Sequence, residues 1–179
     1  FAAIRRGIGS LFHASWWTHS MDPSFDLAKQ GAIHAIVGTL EIGLITSIIS
    51  VPIALMTAIF LVEYARGTKI AKAISFAVDV LTGVPSIVAA LFVFAVVVTT
   101  LGGTQSAWAS SLALMILMVP TVLRSTEEML KLVPDSLREA SFALGVSQWK
   151  TIMKVILPTS MTGILTGIVL GLARVMGET

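Results

Sequence analysis

Long apolar segments separated by short polar ones dominate the chain and predict membrane-spanning helices. The first segment, residues 33–62, exceeds the roughly 20 residues that span a bilayer, so we expect a tilted or projecting helix that Pro52 kinks. Residues 108–123 and the stretch from Ser160 onward are similarly apolar, whereas the run 87–101 is short for a complete span. The pattern therefore predicts an all-α, polytopic membrane protein.

A break interrupts the apolar pattern at residues 82–86. The segment before it, residues 69–81, has an apolar stripe and predicts an amphipathic helix at the membrane interface. Pro85 is expected in the first turn of a new helix, with Gly83 allowing a tight turn before it. A helix that begins within the membrane directs backbone N–H groups at whatever precedes it. Gly83 and Ser86 thus either line an anion path or belong only to a hinge.

The last apolar segment carries a glycine every four residues, at Gly163, Gly167 and Gly171. This spacing predicts the close approach of another helix. Arg174 and Glu178 fall within about 80° of the same face. An arginine at the centre of a span costs about 2.5–3.5 kcal/mol, and pairing with Glu178 would offset that cost. The two residues form either a structural ion pair or part of a transport path, and apolar residues would fill a purely structural site more simply.

A polar stretch at residues 124–158 separates the last two apolar segments. Asp135 or Ser136 is expected to cap a short amphipathic helix that Gly145 ends, and a second amphipathic helix is expected over 147–156. Two such helices meeting at a glycine form a corner that suits the docking of a partner protein. We expect this stretch to be a cytoplasmic docking loop.

Composition agrees with a membrane protein. Hydrophobic residues make up 55% of the chain and charged residues 12%, against about 25% charged residues in soluble domains. Lysine and arginine cluster in two membrane-flanking segments, as the positive-inside rule describes, so the net charge of +2 gives no reason to expect nucleic-acid binding. Arg124 is either such an anchor or a contact for an anion at the inner mouth. We expect residues 1–32 to hold the end of a preceding span and an external loop, residues 33–179 to form the transmembrane domain, and the chain to be a fragment lacking part of its first and last spans.

The sequence contains no recognisable catalytic motif. It has no cysteine, no GxxxxGK[ST] phosphate-binding loop, no GxSxG elbow and no HExxH zinc motif. His13, His19 and His34 lack the spacing of a metal site and are expected to be interfacial. The chain by itself is therefore predicted to have no enzyme active site, no cofactor and no metal, and an enzyme that uses these histidines is the least favoured alternative.

The polar stretch resembles the EAA loop of binding-protein-dependent ABC transporter permeases. The resemblance rests on Glu139, Ala140 and Ser141, on Gly145 four residues later, and on residues 155–158. Ser141 stands where the family has its second alanine, and the first residue of 155–158 is valine in place of isoleucine. Further stretches resemble the A-type membrane subunits of bacterial phosphate-specific (Pst) transporters, namely residues 83–86, 124–137 and 173–179.

The resemblance implies a helix bundle of the type I ABC importer permease (MetI-like) kind in the bacterial plasma membrane. It implies a C-type permease partner, an extracytoplasmic phosphate-binding protein, and two copies of an ATPase subunit that bind ATP and Mg. The implied ATPase-docking residues are Arg138, Glu139, Ala140, Ser141 and Gly145. Under this interpretation the candidate phosphate pathway consists of Arg124, Arg174, Glu178, Gly83 and Ser86.

Two other transport functions remain as alternatives. The same architecture serves for another oxyanion, such as sulfate or molybdate, and the docking loop does not separate these substrates from phosphate. An ion-coupled secondary carrier is less favoured, because such carriers are built from repeated halves and the sequence contains no internal repeat.

Overall fold

The computed structural model describes residues 14–21, 31–104 and 106–179, and every regular element in those ranges is helical. Three of the helices contain or continue into wider π-helical turns. In chain order the elements are α1 (Ala14–Thr18), α2 (Ile33–Ile59) with π1 (Phe60–Tyr64), α3 (Lys69–Thr82), α4 (Ser86–Val93) with π2 (Phe94–Thr100), α5 (Ala107–Leu132), α6 (Asp135–Ala143), α7 (Gln148–Thr151) with π3 (Ile152–Ile156), and α8 (Leu157–Glu178).

Three helices of the described chain are long and apolar enough to cross a membrane. They are Ile33–Tyr64 with 32 residues, Ala107–Leu132 with 26 and Gln148–Glu178 with 31. The prediction of an all-α protein with several spans is therefore confirmed. The first span has the expected excess length, and Pro52 lies inside it.

The predicted break before residue 87 is also confirmed. Helices α3 and α4 meet at an angle of 102°, so the pair forms a broken span or a re-entrant segment. Two details of the prediction are wrong. Pro85 stands at the N-cap position rather than inside the first turn, and Gly83 has a φ of −85°, which any residue adopts. The turn therefore depends on the extended conformation at proline and not on the freedom of glycine.

The chain divides into two compact units, residues 1–42 and 43–179. In the first unit the backbone N–H of Ala32 donates to the carbonyl of Trp16 at 2.8 Å, and that of Met21 to His34 Nδ1 at 3.4 Å. Residues 1–13 and 22–30 lie outside the described chain. The expected end of a preceding span, most of the expected external loop and His13 fall there.

Helix α5 lies at the centre of the core of the second unit. Its buried Met118, Val122 and Leu130 belong to one apolar cluster with residues of the first span and of α7–α8. The cluster members contributed by those helices include Ala54, Ala58, Ile152, Ile156, Ile164 and Val175. This arrangement packs the first span and α7–α8 against α5 along much of its length.

The three glycines of α8 lie against α5 along its length. A Cβ atom at Gly163 would overlap the side chain of Met129, one at Gly167 would lie 2.6 Å from Ser125 Cβ, and one at Gly171 2.8 Å from Val122 Cγ2. Real Cβ atoms do not approach other atoms so closely. The stripe is thus the surface along which the two helices make backbone-close contact.

The polar stretch 124–158 is more helical than a loop. Helix α5 continues to Leu132, and the last span runs from Gln148 to Glu178 without interruption. Pro158 lies inside this continuous helix, just after the wider turns of π3. Only residues 133–134 and 144–147 lie outside helices, so α6 is a short helix held between the ends of two spans.

Candidate functional site

Helix α6 forms the corner that the sequence predicts between the last two spans. Its N-cap is Pro134, which makes no side-chain capping hydrogen bond, so the expectation of a cap by Asp135 or Ser136 is wrong. Asp135 is instead the first helical residue, where its negative charge is favoured by the helix dipole. Its carboxylate accepts hydrogen bonds from Arg138 at 3.0 Å and from Arg66 at 3.3 Å.

Gly145 ends α6 in the left-handed conformation, with a φ of +75°. Its N–H donates to the carbonyl of Phe142 at 2.9 Å, and the N–H of Val146 donates to the carbonyl of Ser141 at 3.1 Å. This pair of bonds is a Schellman motif, which satisfies the last carbonyls of the helix. The glycine fixes where the chain turns from α6 toward α7.

The outer face of α6 is exposed and largely apolar. Glu139 and Ala140 are exposed on it, and several larger apolar side chains of α6 and the residues that follow are exposed as well. These are Leu137 at 40% exposure, Phe142 at 48%, Leu144 at 83% and Trp149 at 60%. Exposed apolar side chains near a charged residue of the same short helix are typical of a protein contact site.

Arg138 and Ser141 face the other way. The Arg138 side chain is only 11% exposed and forms an ion pair with Glu63 at 2.8 Å. Hydrogen bonds to Glu63 raise the pKa of Arg138 above its already high ordinary value, so the guanidinium stays charged at any working pH. The Ser141 hydroxyl lies 2.8 Å from that of Thr151. Of the expected docking residues, these two are placed to hold α6 in position rather than to touch a partner.

Glu63 is the residue of this site that the sequence analysis missed. Its side chain is 6% exposed at the C-terminal end of the first span. From the sequence it resembles any acidic residue that follows an apolar segment. Only its position opposite Arg138, 75 residues away, distinguishes it.

Arg124 is fully engaged in contacts between helices. It donates to Glu127 at 2.6 Å, to the carbonyl of Ser75 at 2.9 Å and to the carboxylate of Asp79. Glu127 is buried and also accepts from Lys131 at 2.7 Å. The structure therefore places Arg124 in an ion network that joins α3 to α5.

Arg174 lies on the exposed side of α8 and donates to the hydroxyl of Thr121 at 3.3 Å. In the part of the chain that the structure describes, it forms no ion pair with Glu178. The structural ion pair, one of the two alternatives that the sequence leaves open, is therefore absent from this conformation. The positive charge of Arg174 remains available to another group.

Ser86 and Glu178 line the same cleft, which has a volume of about 200 Å³. The remaining lining residues are apolar, namely Ile87, Ala90, Ala113, Leu114 and Leu117. Gly83 does not line it. The structure thus brings together the start of α4 and the end of α8, which the sequence suggested separately.

Within the described ranges, no group of three His, Cys, Asp or Glu residues is arranged to hold a metal ion. His19 hydrogen-bonds the hydroxyl of Thr18 at 2.9 Å, and His34 accepts from the backbone of Met21. Their contacts are local.

Residues 50–179 match the family described as "Binding-protein-dependent transport system inner membrane component". The chain belongs to this family. The matched segment contains the last part of the first span, the other two spans and the α6 corner.

Relatives of this inner membrane component match along its whole length. It is 51% identical over 180 residues to the phosphate transport system permease protein PstA 1 of Mycobacterium tuberculosis (strain CDC 1551 / Oshkosh), covering 100% of this chain and 59% of the relative. It is 49% identical over 177 residues to PstA of Mycobacterium leprae, with 98% and 58% covered. The corresponding protein of Yersinia pestis is 42% identical over 179 residues, with 100% and 60% covered. The chain thus spans about three fifths of the length of these relatives.

The fold is similar to that of a chain in the inward-facing MetNI methionine ABC transporter. The TM-score is 0.73 at 22% sequence identity, with 82% of this chain and 70% of that chain covered. At this identity the likeness concerns the fold alone.

Proposed function

We propose that this chain is the A-type membrane-spanning permease subunit of an ATP-driven importer that moves inorganic phosphate across the bacterial plasma membrane. The observation that carries the proposal is the 51% identity, over the whole chain, to a protein named as a phosphate transport system permease. Phosphate as the substrate is the more specific part of this proposal, beyond membership of the permease family.

The ATPase partner acts, in this proposal, on the exposed face of α6. Glu139 and Ala140 are exposed on α6. Phe142 lies one helical turn from Glu139 and Leu137 one turn from Ala140, which places one carboxylate next to exposed apolar surface. A carboxylate in such a place pairs with a basic residue of a partner, and the apolar surround excludes water from the pair. Two copies of the ATPase subunit bind ATP and Mg, and this chain supplies no nucleotide site.

Phosphate passes, in this proposal, between this chain and a C-type permease after delivery by an extracytoplasmic binding protein. Arg174 offers a positive charge without an acidic partner in the described chain, and the start of α4 at Ser86, which lines the same cleft as Glu178, offers backbone N–H groups. Positive charge and N–H donors suit a passing oxyanion when each holds it only weakly. Arg124 serves as a structural anchor near the inner end, and Glu178 borders the cleft.

The test is ATP-dependent uptake of radiolabelled phosphate by vesicles that contain the full complex, with sulfate as competitor. We expect uptake that sulfate does not reduce. Reduction by sulfate would keep the architecture and overturn the substrate, and uptake without the ATPase subunits would indicate a carrier.

Glu139→Lys tests the docking face in the same vesicles. Reversal of the charge places a lysine against the basic partner residue, so we expect loss of ATPase association and at least a tenfold fall in uptake, on the order of 1.4 kcal/mol or more. Glu128→Gln on α5, an exposed carboxylate away from α6, is the control and should transport normally. Full uptake by Glu139→Lys would remove α6 from the contact.

A further inference from the structure

The buried carboxylate of Glu63 occupies an unusual place, at the inner end of the first span. It accepts two hydrogen bonds from Arg138, from Nη2 at 2.8 Å and from Nε at 3.2 Å. Both side chains are largely withdrawn from solvent, and neither lines the cleft near Ser86. A buried pair of this kind contributes little net stability compared with apolar packing, but removal of one partner is costly. The contribution of the Glu63–Arg138 pair is therefore to fix the relative positions of the elements that it joins.

Arg138 joins three elements at once. Besides Glu63 on π1, it donates to the carbonyl of Val133 at 2.7 Å and to that of Leu130 at 3.0 Å. These carbonyls lie at the end of α5, where the last turn of a helix has acceptors without helical partners. A planar guanidinium that donates to several acceptors in fixed positions holds the elements that carry them in one relative orientation.

The last span is tied to the same point. Gln148, at the start of α7, donates to the backbone carbonyl of Glu63 at 2.8 Å. Ser141 and Thr151 connect α6 to α7, and Arg66 forms an exposed ion pair with Asp135 at 3.3 Å. The inner ends of all three spans therefore contact α6 or its anchor. We call this set of contacts around Glu63 and Arg138 the α6 anchor.

We propose that Glu63 and Arg138 are positioning residues that make α6 and the inner ends of the three spans a single rigid body. A movement imposed on α6 then reaches α2, α5 and α7 together, with no hinge at the α6 anchor to absorb it. This inference rests on the proposed function, because it takes α6 as the surface on which the ATPase acts.

A reducible cross-link tests the rigid body directly. Arg66 and Asp135 are 70% and 58% exposed at their side chains, and the sequence contains no cysteine. Arg66→Cys with Asp135→Cys, in a complex otherwise free of accessible thiols, is joined by a bifunctional methanethiosulfonate reagent. We expect the joined complex to transport phosphate as fast as the same complex after reduction. Transport that stops on joining and returns on reduction would overturn the proposal, because the anchor would then contain a hinge.

Glu63→Gln tests the pair itself. The substitution keeps the side-chain shape and removes the charge, and the exposed face of α6 is untouched. We expect the assembled complex to hydrolyse ATP while the phosphate moved per ATP falls about tenfold, the size of a typical coupling between sites. Glu128→Gln makes the same chemical change on an exposed carboxylate and should leave the ratio unchanged. An unchanged amount of phosphate moved per ATP in Glu63→Gln would overturn the role of the pair. If the Glu63→Gln complex does not assemble, the cross-linking experiment alone tests the proposal.

Different results would contradict the proposed substrate and the proposed rigid body. An unmodified complex without ATP-dependent phosphate uptake overturns the substrate assignment. ATP hydrolysis by the joined and reduced complexes is then compared, and equal rates support the rigid body whereas a reversible loss of hydrolysis opposes it.

Discussion

Neighbouring residues on α6 have opposite tasks. Glu139 and Ala140 are exposed, whereas Arg138 contacts Glu63 and Ser141 contacts Thr151. The sequence motif contains all four residues, and nothing in its spacing indicates that two of them face inward. The division arises from the 100° step of the helix, which turns adjacent side chains to different sides.

Gly145→Ala tests the turn that orients this helix. Gly145 has open space around its Cα, so the cost comes from the positive φ alone, about 1–2 kcal/mol for a residue with a Cβ. We expect faster hydrogen exchange at the amide of Val146, which donates to Ser141. Gly145→Asn should lose less protection, because asparagine tolerates this conformation better.

The matched control is Gly177→Ala, which also has open space and lacks a positive φ. It should leave the protection of Val146 unchanged. Equal exchange in Gly145→Ala and the original chain would contradict the conformational argument.

At the scale of elements, the contact between α5 and α8 depends on the absence of side chains at three glycines. The sequence predicts this close approach from the four-residue spacing alone, without naming the partner helix. The structure identifies α5 as the partner through Met129, Ser125 and Val122. The ion network of Arg124 adds a second contact, between α3 and α5, that no periodic pattern encodes.

Gly167→Ala measures the strength of this packing. The added methyl group would overlap Ser125, and overpacking of this kind costs about 1–3 kcal/mol. We expect a lower melting temperature of the purified complex in detergent. Gly177→Ala adds the same methyl group to the same helix in open space and should melt normally.

Ser125→Gly gives the decisive comparison. It removes the side chain that the new methyl group meets, so the double variant should regain part of the lost melting temperature. If the double variant loses as much melting temperature as the two single variants together, the contact between residues 167 and 125 is not the cause of the loss.

At the scale of the whole molecule, the exposed charge of Arg174 in the last span is explained by an assembly with other subunits rather than by the chain alone. Arg174 is exposed in a helix that is apolar enough to span the bilayer, and its one hydrogen bond within the described chain is to Thr121. An exposed charge at such a position is unstable against lipid. In the proposed assembly we therefore expect it to face a partner subunit or water.

Arg174→Gln distinguishes these roles. The variant removes the charge and keeps a polar side chain at this exposed position, so we expect normal assembly and about a tenfold loss of phosphate uptake, on the order of 1.4 kcal/mol. Lys72→Gln removes an exposed charge from α3 and should transport normally. Normal uptake by assembled Arg174→Gln would exclude Arg174 from the pathway.

The sequence by itself determined the fold class, the three spans, the break before Ser86 and the α6 corner, because these follow from local periodicity and turn chemistry. The tertiary structure alone decided which charges pair. Glu63 with Arg138 and Asp79 with Arg124 are separated by 75 and 45 positions, and no local pattern brings them together. Arg174 and Glu178 are one turn apart, yet the ion pair that the sequence allows does not form, because sharing a helix face does not supply the contact and Arg174 reaches Thr121 instead. Spans are local in origin, whereas ion pairs depend on how the spans pack.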